Sequence, residues 1–260
     1  MNYQFSLNKL ERPFKSSALA KCLSVVLLLA ITSHSPVHAE DSYDDQNDPL
    51  ESINRGVFGF NQWLDRWLLK PVAKGYQWIT PDPVDRAISN FFDNLGDVPG
   101  MVNAGLQGDF RQMATTGGRV LVNTTVGVAG FFDVASEMDL ERRQEDFGQT
   151  LAIWGVPEGP YVELPFLGGR NLRDAFGMVP DYFLNPVSYV EDDATRNSLT
   201  ALNIVDTRAD LIALEAFIAG DRYTFLRDVY RQRREAAISN GVIDPSEDGG
   251  FDDDFGDEDF

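Results

Sequence analysis

The chain is poor in the two residue types that most often carry chemistry. It has one cysteine and two histidines, and all three, Cys22, His34 and His38, lie ahead of residue 40. That placement matters because residues 1–39 read as a secretory signal. Lys9, Arg12, Lys15 and Lys21 precede a short apolar run over residues 23–31. Pro36 and Val37-His38-Ala39 follow, with small residues where a signal peptidase cuts. Cleavage after Ala39 leaves a mature chain without His or Cys. Such a chain has no imidazole base, no His-assisted nucleophile, no His or Cys zinc site and no disulfide. Leu19-Ala20-Lys21-Cys22 is half of a lipoprotein signal. Lys21 fills a slot for a small residue, however, and the apolar run follows Cys22 instead of preceding it. Cys22 is therefore expected to be discarded unmodified.

Basic charge is also scarce, with 22 Lys and Arg against 41 Asp and Glu and a net charge of −19. The excess is concentrated at the ends of the mature chain. Residues 40–51 hold six acids and residues 244–260 hold nine, with no base in either, which leaves residues 52–243 at −7. Nucleic acid is excluded as a partner, since phosphate binding needs a basic footprint. Recognisable catalytic motifs are absent too. There is no G-x-S-x-G and no Walker sequence, and Gly56-x-x-Gly59 and Gly127-x-x-Gly130 are too short and apolar to cradle phosphate. Asp244-x-Ser246-x-Asp248-Gly249 resembles the front of a calcium loop. Pro245 interrupts it, and Phe255 stands where a bidentate Glu is needed. Carboxylates are plentiful, but nothing singles out a catalytic pair. The expectation is a non-enzyme with no metal and no cofactor.

What is present is a helical, apolar body. Residues 40–47 form an acidic, flexible leader, residues 48–240 one mainly α-helical domain, and residues 241–260 a disordered acidic tail. Asp48-Pro49 opens the first helix as cap and first helical residue. Ile53, Val57, Phe60, Leu64 and Trp67 then step at helical spacing until Pro71 stops or kinks it. Trp63, Trp67, Tyr76 and Trp78 gather around this helix and suit either a core or a membrane interface. A second helix is expected over residues 83–95, and a third from Asp97-Val98-Pro99.

Residues 120–132, VLVNTTVGVAGFF, carry no charge and are bounded by Arg119 and Asp133. Thirteen residues are too few to span a bilayer, which takes about 20. Two readings stay open for them, a buried core segment and an apolar wall of a lipid-handling cavity. If they are helical, Gly127 and Gly130 open one face to close approach. Residues 137–146 are highly charged and must reach water. Residues 147–154 form a short helix, and residues 155–169 an irregular apolar loop with no ordinary strand pattern. Residues 180–186 make a Pro-bounded loop, and residues 192–219 one or two helices. Asp221 caps a last helix whose Arg227, Arg231 and Arg234 share a stripe. That stripe is either a solvated face paired with Asp228 and Glu235 or a contact for acidic headgroups or a protein.

Several longer words point to a family. They begin with Asp48-Pro49-Leu50-Glu51, Asn54-Arg55, Phe58 and Phe60-Asn61. Asn90-Phe91-Phe92-x-Asn94-Leu95 and Val102-Asn103-x-x-Leu106-Gln107-Gly108-x-Phe110 come next. Then come Arg119-x-Leu121-Val122-Asn123-Thr124-Thr125-x-Gly127-x-x-Gly130-x-Phe132-Asp133 and Glu145-Asp146-Phe147-Gly148-Gln149-Thr150-Leu151. Trp154-Gly155, Gly159-Pro160-Tyr161, Leu164-Pro165 and Arg173-Asp174 complete the set. Over residues 48–240 the chain resembles the MlaA (VacJ) family.

The resemblance implies a ring-like helical protein in the periplasmic leaflet of the outer membrane, associated with a trimeric outer-membrane porin. It would take mislocalised phospholipid from the outer leaflet through a central amphipathic channel and pass it to the periplasmic lipid carrier MlaC, maintaining lipid asymmetry. Candidate channel residues are Val126, Gly127, Val128, Gly130, Phe131 and Phe132, with Tyr161, Leu164 and Phe166 of the second apolar loop. The alternative is a porin-associated structural or binding protein that moves no lipid. Members of the family are commonly lipoproteins, which this chain's Cys22 does not fit. A wide apolar surface could replace the anchor, because one acyl chain holds a membrane only marginally.

Intact-mass measurement of the membrane-extracted protein should give a polypeptide starting at Glu40 and carrying no acyl group. A diacylglyceryl Cys22 at the N-terminus would overturn the signal assignment.

Overall fold

The structure, a computed structural model, describes residues 48–240. The signal with Cys22, the acidic leader and the tail with its calcium-like run all lie outside the described residues. Helix α1 (Glu51–Leu64), a π-helical turn (Asp65–Leu69) and α2 (Lys70–Ile79) run on as one rod. Pro71 explains the π-helical turn. It has no N–H for the carbonyl four residues back, and its ring crowds that carbonyl, so the backbone widens just ahead of it. The helix widens ahead of Pro71 and does not stop there. Asp48 is also not its cap. Its buried carboxylate accepts from Leu50 N and Asn54 Nδ2, both at 3.1 Å, and from the Tyr223 hydroxyl.

The two helices expected either side of residue 96 are a single helix, α3 (Asp82–Leu106), with Pro99 inside it. Asp97, read as a cap, lies mid-helix and buried. α4 (Phe110–Thr125) and the short α5 (Val134–Glu137) follow, then α6 (Phe147–Ile153) as expected. Residues 155–169 are not wholly irregular. They contain strand β1 (Tyr161–Leu164), which pairs antiparallel with β2 (Gly168–Asn171), Tyr161 opposite Asn171 and Leu164 opposite Gly168. α7 (Leu172–Leu184) absorbs Pro180, so the loop expected at residues 180–186 is mostly helix. A 3-10 turn (Pro186–Tyr189), α8 (Asp193–Asp210), a second 3-10 turn (Ala213–Phe217) and α9 (Arg222–Ile238) complete the order.

Side-chain caps define most of the helix starts. Asp109, Asp133, Asp146, Asn171 and Asp192 each accept from a backbone N–H in the first turn that follows. α3 lies along α4, α6 packs on α7, α2 on α8, and the hairpin against α1 and α9. α6 and α7 cross at glycine. A Cβ on Gly177 would stand 2.6 Å from Gly148 N, so only glycine lets the two backbones meet.

The burial pattern is inverted relative to a water-soluble protein. Among the described residues, no Leu, Ile, Val, Phe, Met or Trp is buried. These are the types that ordinarily fill a core. The buried apolar residues are four alanines and three tyrosines, outnumbered by buried Asn, Asp, Arg, Thr, Glu and Gln. Outside, Trp63, Trp67 and Trp78 are exposed, Trp78 at 88%, so of the two readings of the tryptophans the core is overturned. Tyr76 alone of that group turns inward, donating to Asp206 Oδ1 at 2.8 Å.

Ser89 donates to the other Asp206 oxygen at 3.1 Å, so one carboxylate ties α2, α3 and α8 together. Burial raises the Asp206 pKa, against the hydrogen bonds from Tyr76 and Ser89 that lower it. A raised folded-state pKa contributes stability that is full below the unfolded value and lost as pH rises through the folded one. Asp206→Asn should therefore raise the melting temperature at pH 7 to 8, with the gain shrinking as pH falls toward 4. A gain that is the same at both pH values would show that Asp206 carries no such cost.

Candidate functional site

The charge-free stretch divides at Thr125, where α4 ends. A tight loop follows, closed by hydrogen bonds from Ala129 N to Thr124 O (2.9 Å), Gly130 N to Asn123 O (2.8 Å) and Phe132 N to Gly127 O (2.9 Å). Val128, Ala129 and Gly130 have φ of 53°, 58° and 91° in succession. For a β-branched residue such as Val128 this is a strained conformation, of a kind that costs on the order of 1–3 kcal/mol and persists only where the surroundings impose it.

Those surroundings are polar and centre on Arg119, which is 2% exposed. Its guanidinium sits 3.3 Å from Asp97 Oδ2, and its NH2 group donates to both oxygens of Asp133 at 3.0 Å. It also donates to Ser136 Oγ at 3.0 Å and to the Leu140 carbonyl. Asn123 adds a bond to Asp133 Oδ1 (2.9 Å) and accepts from Ala135 N (2.9 Å). Arg142 Nε meets the other oxygen of Asp97 at 2.9 Å. Burial works to raise the Asp133 pKa, but hydrogen bonds from Ser136, Asn123 and Arg119 hold it at about 2. The two charges bounding the stretch in sequence are thus partners in space, and their pairing forces residues 120–132 to double back.

This arrangement sorts the candidate residues. Val126, Val128, Phe131 and Phe132 are exposed and form an apolar tip, with Phe131 stacked on Phe91 at 5.3 Å. Gly127 and Gly130 are buried, and they are not on one face of a helix. A Cβ on Gly127 would stand 2.1 Å from Phe132 O, and one on Gly130 2.8 Å from Asn94 Cβ. Their role in the structure is to let the backbone fold tightly beneath the tip.

The second candidate segment is held by α1 and α9. Asn54 acts as a strand edge, donating to Tyr161 O and accepting from Glu163 N, both at 2.9 Å. Asn61 donates to Glu163 Oε1 (2.9 Å) and Leu164 O (3.0 Å) and accepts from Phe166 N (2.9 Å). Tyr161 is buried between the rings of Tyr223 and Tyr230, Leu164 is half-buried, and Phe166 is exposed with its edge on Phe60. Burial raises the Glu163 pKa, opposed by the bonds from Asn61 and Tyr161.

Sequence reasoning passed over a third polar cluster. Arg234 pairs in a bidentate manner with Asp146, at 2.5 and 2.7 Å, and stands 2.6 Å from Asp174. It lies largely buried, and Arg227 is buried beside Asp228. These two arginines therefore correct the expectation of a solvated stripe. The segment expected to reach water does so only in part. Glu145 is buried, accepting from Gln107 (3.0 Å) and Arg143 (2.6 Å). The signal that could have found these clusters was in plain view. Asn54, Asn61, Asn94, Asn103, Arg119, Asn123, Glu145, Gln149, Thr150, Arg173 and Asp174 are the polar letters of the unusual words. Among the described residues no group of three or more acidic, His or Cys side chains could hold a metal.

A family profile for the MlaA lipoprotein matches residues 46–237. The chain belongs to the MlaA lipoprotein family. It is 36% identical over 208 residues to the intermembrane phospholipid transport system lipoprotein MlaA of Escherichia coli K12, covering 78% of this chain and 82% of that one. The protein of the same name from Haemophilus influenzae is 28% identical over 232 residues, covering 86% and 92%. An uncharacterized protein of Rickettsia typhi is 34% identical over 195 residues, covering 74% and 78%. Among solved structures, one from work on the structural basis for maintenance of bacterial outer membrane lipid asymmetry matches with a TM-score of 0.67 at 35% identity. It covers 74% of this chain and all of its own. The helical single-domain fold is thus that of the MlaA family.

Removing one partner of a buried charge group leaves the others uncompensated, typically at about 3–5 kcal/mol. Arg119→Met should accordingly lower the stability of this MlaA-family domain by about that much, because Asp97 and Asp133 lose their shared cation. A thermal melt in detergent that shifts by only a degree or two would mean the cluster is incidental.

Proposed function

We propose that this protein is the outer-membrane component of an intermembrane phospholipid transport system. It removes mislocalised phospholipid from the outer leaflet, hands it to a periplasmic carrier and so maintains lipid asymmetry. The observation that carries this reading is the inverted burial. In hydrocarbon every buried polar group must be satisfied within the protein, while apolar side chains can face outward at no cost. Hydrogen-bonded clusters inside and Trp, Phe, Leu and Val outside match that solvent, and exposed apolar area on this scale marks a membrane or lipid contact. Among the described residues no helix is long and apolar enough to cross a membrane, which suits a protein seated in one leaflet.

The named relatives support the same reading, being transport lipoproteins. We assign the chain no catalytic role. The finer elements belong to the proposal as well: a ring-like closure around an amphipathic channel, a trimeric porin as host, and MlaC as the acceptor. Within it, Val126, Val128, Phe131, Phe132 and Phe166 are the side chains free to touch an acyl chain. Gly127, Gly130, Tyr161 and Leu164 support their backbone. Phospholipid movement is favoured over a purely structural role by the strained, apolar tip at Val128, since a docking protein has no need of a strained loop exposing four large apolar side chains.

Cells lacking this chain should accumulate phospholipid in the outer leaflet and become sensitive to detergent with chelator. Wild type should restore the barrier, and a folded, correctly located Val128→Asp should not, because it puts an unpaired charge among acyl chains. An intact barrier in the deletion strain would favour the structural alternative. An intact barrier with Val128→Asp alone would remove the tip from the lipid path.

A further inference from the structure

We infer that the cleft between α4 and residues 139–143 seats the headgroup of a zwitterionic aminophospholipid, with Asp139 and Glu141 on its ammonium and Arg111 on its phosphate. This deepens the reading above by naming the headgroup, and it rests on the lipid contact of that reading. The cleft has a volume of about 510 Å³, and every residue lining it is polar or charged. That volume falls within the range of about 300–1,000 Å³ usual for small-molecule sites. One ion pair is part of its wall. Asp109, the cap of α4, accepts from Arg143 at 2.6 Å, and Arg143 also donates to Glu145 at 2.6 Å. The other charges in the lining are unspent. Among the described residues nothing pairs with the side chains of Arg111, Asp139 or Glu141, and all three are exposed.

Two observations select the occupant. The first is that the free groups are of both signs. A simple anion would meet two carboxylates and a simple cation a guanidinium, so a ligand that uses all three carries both charges. An ammonium offers three donors to the two carboxylates, and a phosphate suits the planar fork of an arginine. The second is that the cleft leads toward apolar surface. Arg111, Thr115, Gly118 and Val122 follow one another at helical spacing and share one side of α4. Leu140 lies against that side, since a Cβ on Gly118 would stand 3.6 Å from its Cδ1. Val126 comes next, its N–H donating to Val122 O at 2.8 Å, and it opens the exposed apolar tip. From Arg111 to Val126 a helix advances about 22 Å, and one leaflet with its headgroups is about half of 40–45 Å thick. A polar seat followed by an apolar line of that length fits one amphiphile.

The test adds phosphatidylethanolamine and phosphatidylglycerol, with identical acyl chains and in equal amounts, to the full delipidated chain in detergent. Bound lipid is read by native mass spectrometry. We expect the ethanolamine lipid to be held over the glycerol lipid at least threefold. Asp139→Asn with Glu141→Gln should cut the ethanolamine adduct at least threefold and spare the glycerol adduct, whereas Arg111→Gln should cut both. All three side chains are exposed and unpaired, so these changes leave the fold alone. Arg86→Gln, at an exposed base outside the cleft, should change neither adduct. Glycerophosphoethanolamine, the headgroup without chains, should displace the lipid only in large excess. Equal adducts on the wild-type chain, or an ethanolamine adduct that survives the double change, would overturn the seat. Displacement by glycerophosphoethanolamine at the lipid's own concentration would overturn the lipid assignment in favour of a soluble zwitterion. A wild-type chain that shows the preference yet restores no detergent barrier would overturn the transport reading and leave the seat intact. One that restores the barrier without the preference would overturn the seat alone.

Discussion

Arg119 is the group on which the architecture turns. A guanidinium taken out of water carries a desolvation cost of several kcal/mol unless it is fully paired. Here the pairing comes from three different segments. Asp97 belongs to the middle of α3, Asp133 caps α5, and the Leu140 carbonyl lies beyond it. Each partner is thereby held in place by the need to satisfy one cation. The strained backbone at Val128 and Ala129 lies inside the loop that this pairing closes, so the cost of the strain is met by an interaction fourteen residues long in sequence.

The same logic recurs around Arg234 and Asn54. Asp146 and Asp174 bring α6 and α7 to α9 through one guanidinium, and Gly148 and Gly177 permit the approach. Asn54 completes the hydrogen bonds of a two-stranded hairpin that has no other neighbouring strand among the described residues. An isolated hairpin of this length is marginal in water, and a side-chain amide supplies the missing edge. In an apolar surrounding these networks are strengthened by the low dielectric. They release the apolar side chains to face outward, which is where a lipid-handling protein needs them.

The first helix was legible because its apolar residues recur at helical spacing, and α9 because Asp221 stands ahead of a run in which Arg227, Arg231 and Arg234 share a stripe. Proline misled at residues 99 and 180 and half misled at residue 71. Each lies within a helix or a π-widened junction, because packed neighbours repay the lost hydrogen bond. The hairpin was illegible because Gly168-Gly169-Arg170-Asn171 has no strand propensity, and the side chains that hold it lie about a hundred residues away. The polar interior was harder still. Periodicity finds a core by looking for apolar residues, and here the inward positions are Asn, Asp and Arg. Arg119 and Asp133 were visible as the two ends of a charge-free stretch, but nothing in their spacing says that they meet. The family words carried that information without explaining it, and the structure supplies the reason for their polar letters.

The central claim is that an apolar exterior held by a polar interior moves phospholipid from a membrane to a soluble carrier. It is tested most directly by reconstituting the chain with the proposed host, a trimeric porin, in vesicles containing fluorescent phospholipid and measuring transfer to the proposed acceptor, a purified periplasmic lipid carrier. The account predicts transfer well above that of vesicles holding porin alone, and its loss on Val128→Asp in chain shown to be folded and inserted. Transfer no faster than with porin alone, from wild-type chain that is folded and inserted, would contradict it.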